Sequence, residues 1–149
     1  MTDRDVDTFW RRQSSTEGQP PRVLVRVFVD PGGLADAIDA YETLQGVEVD
    51  AVFPYPAAGL RLAVIGAFLV IEGDDEHLAP FRATTGTLLV DDVQPYHDRL
   101  VAAGAEIVEP LHEVPTGAGF TARHPDGALI EYVHHRPTSE ELVAAGSHA

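Results

Sequence analysis

His124-Pro125-Asp126-Gly127-Ala128-Leu129-Ile130-Glu131-Tyr132-Val133-His134-His135 is the stretch whose reading decides the fold. Pro presets φ, Gly supplies a positive φ, and a β-branched and aromatic run follows at once, so a reversal leading into a strand is predicted. Alternation puts Glu131 on the same face as Leu129 and Val133, with Ile130 and Tyr132 on the other. A lone carboxylate in the middle of an apolar strand needs a metal ion, a ligand or solvent to explain it.

Working back from this strand, the same order of elements occurs twice. Val23 to Val29 is rich in β-branched residues and stops at Asp30-Pro31-Gly32-Gly33. Leu34, Ala37, Ile38, Tyr41 and Leu44 then recur at helical spacing, with Gly46 as a stop. Val47 to Phe53, Leu60 to Ile65 and Phe68 to Glu72 follow as strands separated by turn residues. In the second half, Thr84 to Val90 is a strand, Val93 to Gly104 a helix, and Ala105 to Glu109, Gly119 to Arg123 and Ala128 to His134 three more strands.

Each half reads βαβββ. Asp30 matches Asp92 at a separation of 62 positions and Val70 matches Glu131 at 61, which supports duplication. The predicted organisation is an N-terminal arm over 1–21, a first module over 22–72, a linker over 73–83, a second module over 84–135 and a tail over 136–149. The arm carries Phe9 and Trp10, aromatic residues able to dock on their own domain or on a partner subunit. The Gly-containing loop from Val114 to Gly119 is read either as a flap over a binding site or as an ordinary surface turn.

Composition narrows the chemistry. The 149 residues are 44% hydrophobic and 23% charged, as expected of a globular chain with a core. There is no cysteine, so disulfides, thiolate nucleophiles and Cys-ligated zinc are excluded. All ten basic residues are arginines, so lysine Schiff-base chemistry is excluded too. A net charge of −14 repels phosphate backbones and anionic lipid, and no apolar run approaches 18 residues. Neither nucleic acid nor membrane is an expected partner, and a cytoplasmic location is expected.

The serines lie at 14, 15, 139 and 147, in the arm and tail, and no nucleophile elbow, dinucleotide fingerprint or phosphate loop occurs. No two of the seven histidines have metal-ligand spacing on a helix. His134 and His135 are adjacent and so point to opposite faces of a strand. No catalytic residue is assigned.

Val-Phe-Val-Asp-Pro at 27–31, Ala-Tyr-Glu-Thr-Leu-Gln-Gly at 40–46, Val90-Asp91-Asp92-Val93, Leu100 to Glu106 and His-Pro-Asp-Gly-x-x-Ile-Glu-Tyr at 124–132 together resemble the vicinal oxygen chelate superfamily. That superfamily includes glyoxalase I, extradiol dioxygenases, fosfomycin-modifying enzymes and bleomycin-binding resistance proteins. The resemblance covers about residues 22 to 135 and implies an α+β fold. Two tandem βαβββ modules would form a half-open, U-shaped mixed sheet, with helices on the outer face and a homodimer partner.

Metal-dependent members carry a ligand on the first and last strand of each module. Transferred here, those positions fall on Val23, Thr85, Val70 and Glu131, of which only Glu131 is a good ligand. A one-residue register slip on the first strand would exchange Val23 and Val25 for Leu24 and Arg26, and neither face supplies a histidine.

The resemblance therefore implies a cup without metal or other cofactor. Phe53, Tyr55, Phe68 and Phe120 are the candidate aromatic lining, with Thr85, Thr87 and Glu131 as polar anchors. The expected function is binding of a hydrophobic or aromatic small molecule, such as sequestration of a natural-product antibiotic. The alternative is an enzyme of the same superfamily: a metal-dependent lyase or dioxygenase, or a metal-free isomerase with Glu131 as general base.

Overall fold

The computed structural model describes residues 4–11 and 20–136. Among the described residues, nine strands form a single curled sheet with β1 (Trp10–Arg11), β2 (Arg22–Val29), β3 (Ala51–Tyr55), β4 (Leu60–Ile65), β5 (Phe68–Glu72), β6 (Gly86–Leu89), β7 (Glu106–Val114), β8 (Gly117–Arg123) and β9 (Leu129–His135). Their spatial order is β1-β3-β4-β5-β2-β6-β9-β8-β7. Helices α1 (Leu34–Gln45) and α3 (Val93–Ala102) cover the convex side, and a one-turn helix α2 (Asp75–Leu78) lies between the modules.

The order within the sheet makes the duplication visible. β2 is parallel to β5 in the first module, and β6 is parallel to β9 in the second. The modules join where β2 and β6 run antiparallel, with Leu24 opposite Thr87. The sheet is therefore continuous through the module boundary, as the βαβββ repeat predicts.

The stretch that decides the fold behaves as a turn and a strand. Gly127 adopts φ 95°, where an L side chain would be strained. Its N–H donates to His124 O at 2.8 Å, and Asp126 Oδ1 accepts from Ala128 N at 3.0 Å. The chain leaves this turn into β9, which lies between β6 and β8.

Helix α1 has a glycine, Gly33, at its N-cap and so no capping side chain of its own. Glu72 at the end of β5 takes that role, its Oε2 accepting from Leu34 N at 2.9 Å and Gly32 N at 3.2 Å. A carboxylate at the positive end of a helix dipole is favourable there, and the Arg61 guanidinium lies 3.5 Å from the other oxygen. Replacing this buried glutamate with alanine is expected to cost about 2–3 kcal/mol, the cost of leaving buried donors unpaired. The shift should appear as a lower urea midpoint with an unchanged slope, and a midpoint within error of the parent would remove Glu72 from this role.

At the α1 C-terminus, Gly46 sits in the left-handed region at φ 67° and donates to Glu42 O. Asp92 caps α3 by accepting from Gln94 N at 3.0 Å. Beside it, His134 Nδ1 accepts from Val93 N at 3.0 Å, so this imidazole is a second cap. Burial and the Arg136 charge hold His134 below its ordinary pKa, consistent with an acceptor nitrogen.

Three apolar clusters hold the layers together. Leu34 and Ile38 of α1 pack on Val52, Ala63, Ile65 and Val70. Val93, Phe120, Ala122 and Tyr132 form the equivalent cluster under α3. The third cluster lines the concave side and includes Leu24, Phe53, Leu62, Val64, Leu69, Ile71 and Leu89.

Several expected boundaries shift. Trp10 and Arg11, read as part of an arm, form β1 on the edge of β3, with Trp10 packed in the α1 cluster and Phe9 6.1 Å from Phe53. Trp10 thus docks on its own domain, because a short edge strand gives it backbone pairing as well as contact. The 73–83 linker contains α2 and the buried Leu78, which belongs to the concave cluster. Of the two readings of the Val114–Gly119 segment, flap or surface turn, the structure shows a tight hairpin turn, since β7 continues to Val114 and pairs with Gly117. Residues 12–19 of the arm and 137–149 of the tail, with the four serines, lie outside the described residues.

Candidate functional site

Three side chains from three strands meet in the middle of the concave surface. Arg26 on β2, Thr87 on β6 and Glu131 on β9 are the polar members of an otherwise apolar wall that includes Leu24, Leu69, Leu89 and Val133. Parallel pairing places Thr87 directly beside Glu131, and Leu24 of β2 lies directly across from Thr87. Arg26 Nη2 is 3.0 Å from Glu131 Oε1. Thr87 Oγ1 donates to the same Oε1 at 3.0 Å and accepts from Arg26 Nε at 3.0 Å. Arg26 Nη1 donates to Phe81 O at 3.0 Å.

The network closes on itself inside the protein. The Arg26 side chain is 4% exposed and Thr87 2%, so both are withdrawn from water. Such a guanidinium is tolerable only with its charge matched and its nitrogens held by acceptors, and Glu131, Thr87 and the Phe81 carbonyl each meet one of the three. Glu131 lines two adjoining cavities.

The first cavity is apolar, enclosing about 460 Å3 of empty space including its mouth, between Phe53, Tyr55, Leu62, Val64 and Leu69 on one side and Val114, Pro115, Thr116, Val133 and His135 on the other. The second, about 670 Å3, is more polar and is lined by Arg26, Tyr55, Phe81, Glu109, His112 and Thr121. Tyr55 borders both. Burial, and then the charges of Glu109 and Glu131, push its phenol above the ordinary range, so the hydroxyl keeps its proton.

Arg11 holds Thr116, a residue of the apolar cavity's wall. Its Nη1 donates to Thr116 O at 2.6 Å, bringing β1, at one edge of the sheet, against the β7–β8 turn at the other edge. His135, 3% exposed, lines the same cavity. Burial first, then the Arg11 and Arg22 charges, push its imidazole down to about 3, so it is neutral at physiological pH. His134 and His135 do point to opposite faces, one capping α3 and the other inside the cup.

Of the residues expected at the site, the structure brings Phe53, Tyr55, Thr87 and Glu131 together around the cavities. Phe68 does not join them. It faces α1, with its ring 4.5 Å from that of Tyr41, because it is one residue out of phase with Leu69. Phe120 is fully buried under α3, stacked on Tyr132 at 5.0 Å with His97 edge-on at 5.3 Å. Thr85 is exposed and borders neither cavity.

The transferred metal positions are corrected in the same way. Val23 is 60% exposed on the convex face and Val70 is buried beneath α1, so neither faces the cup. One position away from Val70 and on the opposite face of β2, the cup presents Leu69 and Arg26. A divalent ion needs several lone-pair donors converging on one point. Here a guanidinium occupies the space beside Glu131, and the other neighbours are a threonine hydroxyl and leucines, so the residues present do not fit such an ion. Among the described residues, no group of three or more His, Cys, Asp or Glu is placed to hold one.

A curled sheet built from paired βαβββ modules around a central cup defines a glyoxalase-type α+β fold, and sequence comparison agrees. The profile of the Glyoxalase/Bleomycin resistance protein/Dioxygenase superfamily matches residues 27–132, and the chain belongs to that superfamily. Among solved structures it is similar to an uncharacterized protein from Methanosarcina mazei, at 40% identity and a TM-score of 0.71, over 79% of this chain and 94% of that one. It also resembles methylmalonyl-CoA epimerase from Mycobacterium tuberculosis, at 22% identity and a TM-score of 0.58, over 83% and 92% of the two chains. The Streptomyces coelicolor epimerase is similar at 16% identity and a TM-score of 0.54, over 79% and 100%. These two likenesses concern the fold. No curated protein sequence matches the chain. Among the described residues, no helix is long and apolar enough to cross a membrane.

Proposed function

We propose that the cup binds a hydrophobic or aromatic small molecule without a metal ion and holds it unchanged, as in sequestration of a natural product such as an antibiotic. The observation that carries this reading is the Arg26–Thr87–Glu131 network set into an apolar wall opposite Phe53 and Tyr55. An apolar cavity with a few converging polar groups is the usual form of a small-molecule site. Phe53 and Tyr55 offer ring contacts and Glu131 a fixed polar point.

Sequestration requires affinity without chemistry, and the network suits it, since Arg26 and Thr87 hold one carboxylate oxygen in place. The test is calorimetric titration of the purified protein with a panel of flat aromatic and aliphatic antibiotics, followed by recovery and mass analysis of each ligand. Stoichiometric binding of at least one aromatic member, recovered intact, is expected. Absence of heat across the whole panel sinks the reading, and a chemically altered ligand replaces sequestration with catalysis. Glu131→Gln should weaken the bound member about tenfold, the worth of one charge-assisted hydrogen bond, without changing metal content.

A further inference from the structure

We infer that Arg26 inverts the polarity of the cup, so that its centre recognises a ligand through hydrogen-bond donors, such as an ammonium, amide N–H or hydroxyl, where a metal centre would recognise oxygen lone pairs. The inference rests on the proposed small-molecule binding and narrows its chemistry. It follows from how the triad's bonding capacity is used.

Each nitrogen of Arg26 already faces a protein acceptor: Nε the Thr87 hydroxyl, Nη1 the Phe81 carbonyl and Nη2 Glu131 Oε1, all at 3.0 Å. Although Arg26 borders the polar cavity, its side chain is only 4% exposed and its charge is matched by Glu131, so little of its donor edge is open to an oxyanion. The Thr87 hydroxyl donates its single proton to Glu131 Oε1 while accepting from Arg26, so it too is committed. Glu131 Oε1 takes both donors. Glu131 Oε2 accepts from no group among the described residues, although its side chain borders both cavities. What the triad leaves for a ligand is one carboxylate oxygen, an acceptor.

The surroundings point the same way. Glu109 lies on the wall of the polar cavity next to Tyr55 and adds a second acceptor. A ligand carboxylate, phosphonate or enediolate brought to this point would face the carboxylates of Glu131 and Glu109, with the Arg26 charge already matched to Glu131. An aromatic ligand bearing an amine would place its ring against Phe53 and Tyr55 and its N–H on Glu131 Oε2.

Two probes with the same ring system test this: 2-naphthylmethylammonium and 2-naphthoate, titrated into the full chain by calorimetry at about 0.15 M and about 0.5 M NaCl, conditions that separate the chain's long-range negative field from contact in the cup. The ammonium probe is expected to bind at least about tenfold tighter at both salt concentrations, the difference of one charge-assisted bond. In Glu131→Gln, whose amide oxygen still accepts from Arg26, the preference should fall to within about threefold. Equal or tighter binding of naphthoate, or a preference that vanishes at high salt, overturns the inversion and leaves the binding reading standing. Failure of both probes to bind overturns both. The wild-type comparison decides by itself if Glu131→Gln does not fold.

Discussion

Replacing Arg26 with methionine is expected to destabilise the protein by about 3 kcal/mol, the lower end of the cost of stranding one member of a buried ion pair. The loss comes from what remains behind. Glu131 would be left with only the Thr87 hydroxyl beside it, and the Phe81 carbonyl would lose its donor. Glu131 is the less buried partner, at 23% against 4% for Arg26, and cavity water softens its isolation, which is why the lower end applies.

The informative comparison is the double variant Arg26→Met with Glu131→Leu. Both charges are then gone from a wall already built of Leu24, Leu69 and Leu89, and apolar replacements of buried pairs are commonly neutral or stabilising. The double variant should return to within about 1 kcal/mol of the wild type, a coupling of about 2 kcal/mol or more by double-mutant cycle in urea. A double variant less stable than Arg26→Met alone would mean that the pair itself holds the fold together. If stability returns while the probe preference is lost, the triad is present for recognition and not for folding.

The second large effect belongs to His135. In the unfolded chain its imidazole takes a proton near the ordinary 6.5, and in the folded protein only near 3. Between those values the unfolded state binds a proton that the native state refuses, so stability is full above about pH 6.5 and falls as the pH is lowered. The slope is about 1.4 kcal/mol for each pH unit, giving roughly 3 kcal/mol by pH 4.5. Native carboxylates also titrate in this window, so the measurement is a difference. Urea curves of wild type and His135→Gln at pH 7.5, 5.5 and 4.5 should diverge, the wild type losing stability faster. Parallel losses would show that His135 is not the group that resists protonation.

Arg26 and His135 border adjoining cavities that Glu131 lines in common. His135 closes the apolar cavity together with Thr116, whose carbonyl accepts from Arg11. Protonating His135 would put a new charge beside Arg11 and Arg22 in a wall with little water. At neutral pH, therefore, this wall of the apolar cavity carries no charge at His135.

The fold was largely legible in the residues. Pro125-Asp126-Gly127 has one conformational meaning, and Gly127 takes the positive φ it announces. The apolar spacing of Leu34, Ile38 and Tyr41 can only be satisfied by a helix lying on a sheet, and α1 lies on β4 and β5. These are local signals, set by backbone sterics and by a side-chain period that any packing must honour. Glu131 was found in the same way, as one charge in an apolar strand. Arg26 carries the same signal, a lone basic residue among Val23, Val25, Val27 and Val29, and the two opposite charges could have been paired on that ground.

Faces and registers were not legible. Alternation groups Leu24 with Arg26 and Phe28, but it does not say which group turns inward, and a shift of one residue exchanges them. That is why Val23 and Val70 stood in for Leu24 and Leu69, and why Phe68 and Phe120 were expected in a cup that they back from behind. Arg11 meets Thr116 across 105 positions of sequence, a contact that exists only because the sheet curls its two edges together. By itself, then, the sequence determined the duplicated βαβββ order, the turns and the presence of a carboxylate that needed a partner. Only the tertiary structure decided that the partner is the Arg26 guanidinium, because cross-strand register and sheet curvature, which no local pattern encodes, set which side chains share a cavity.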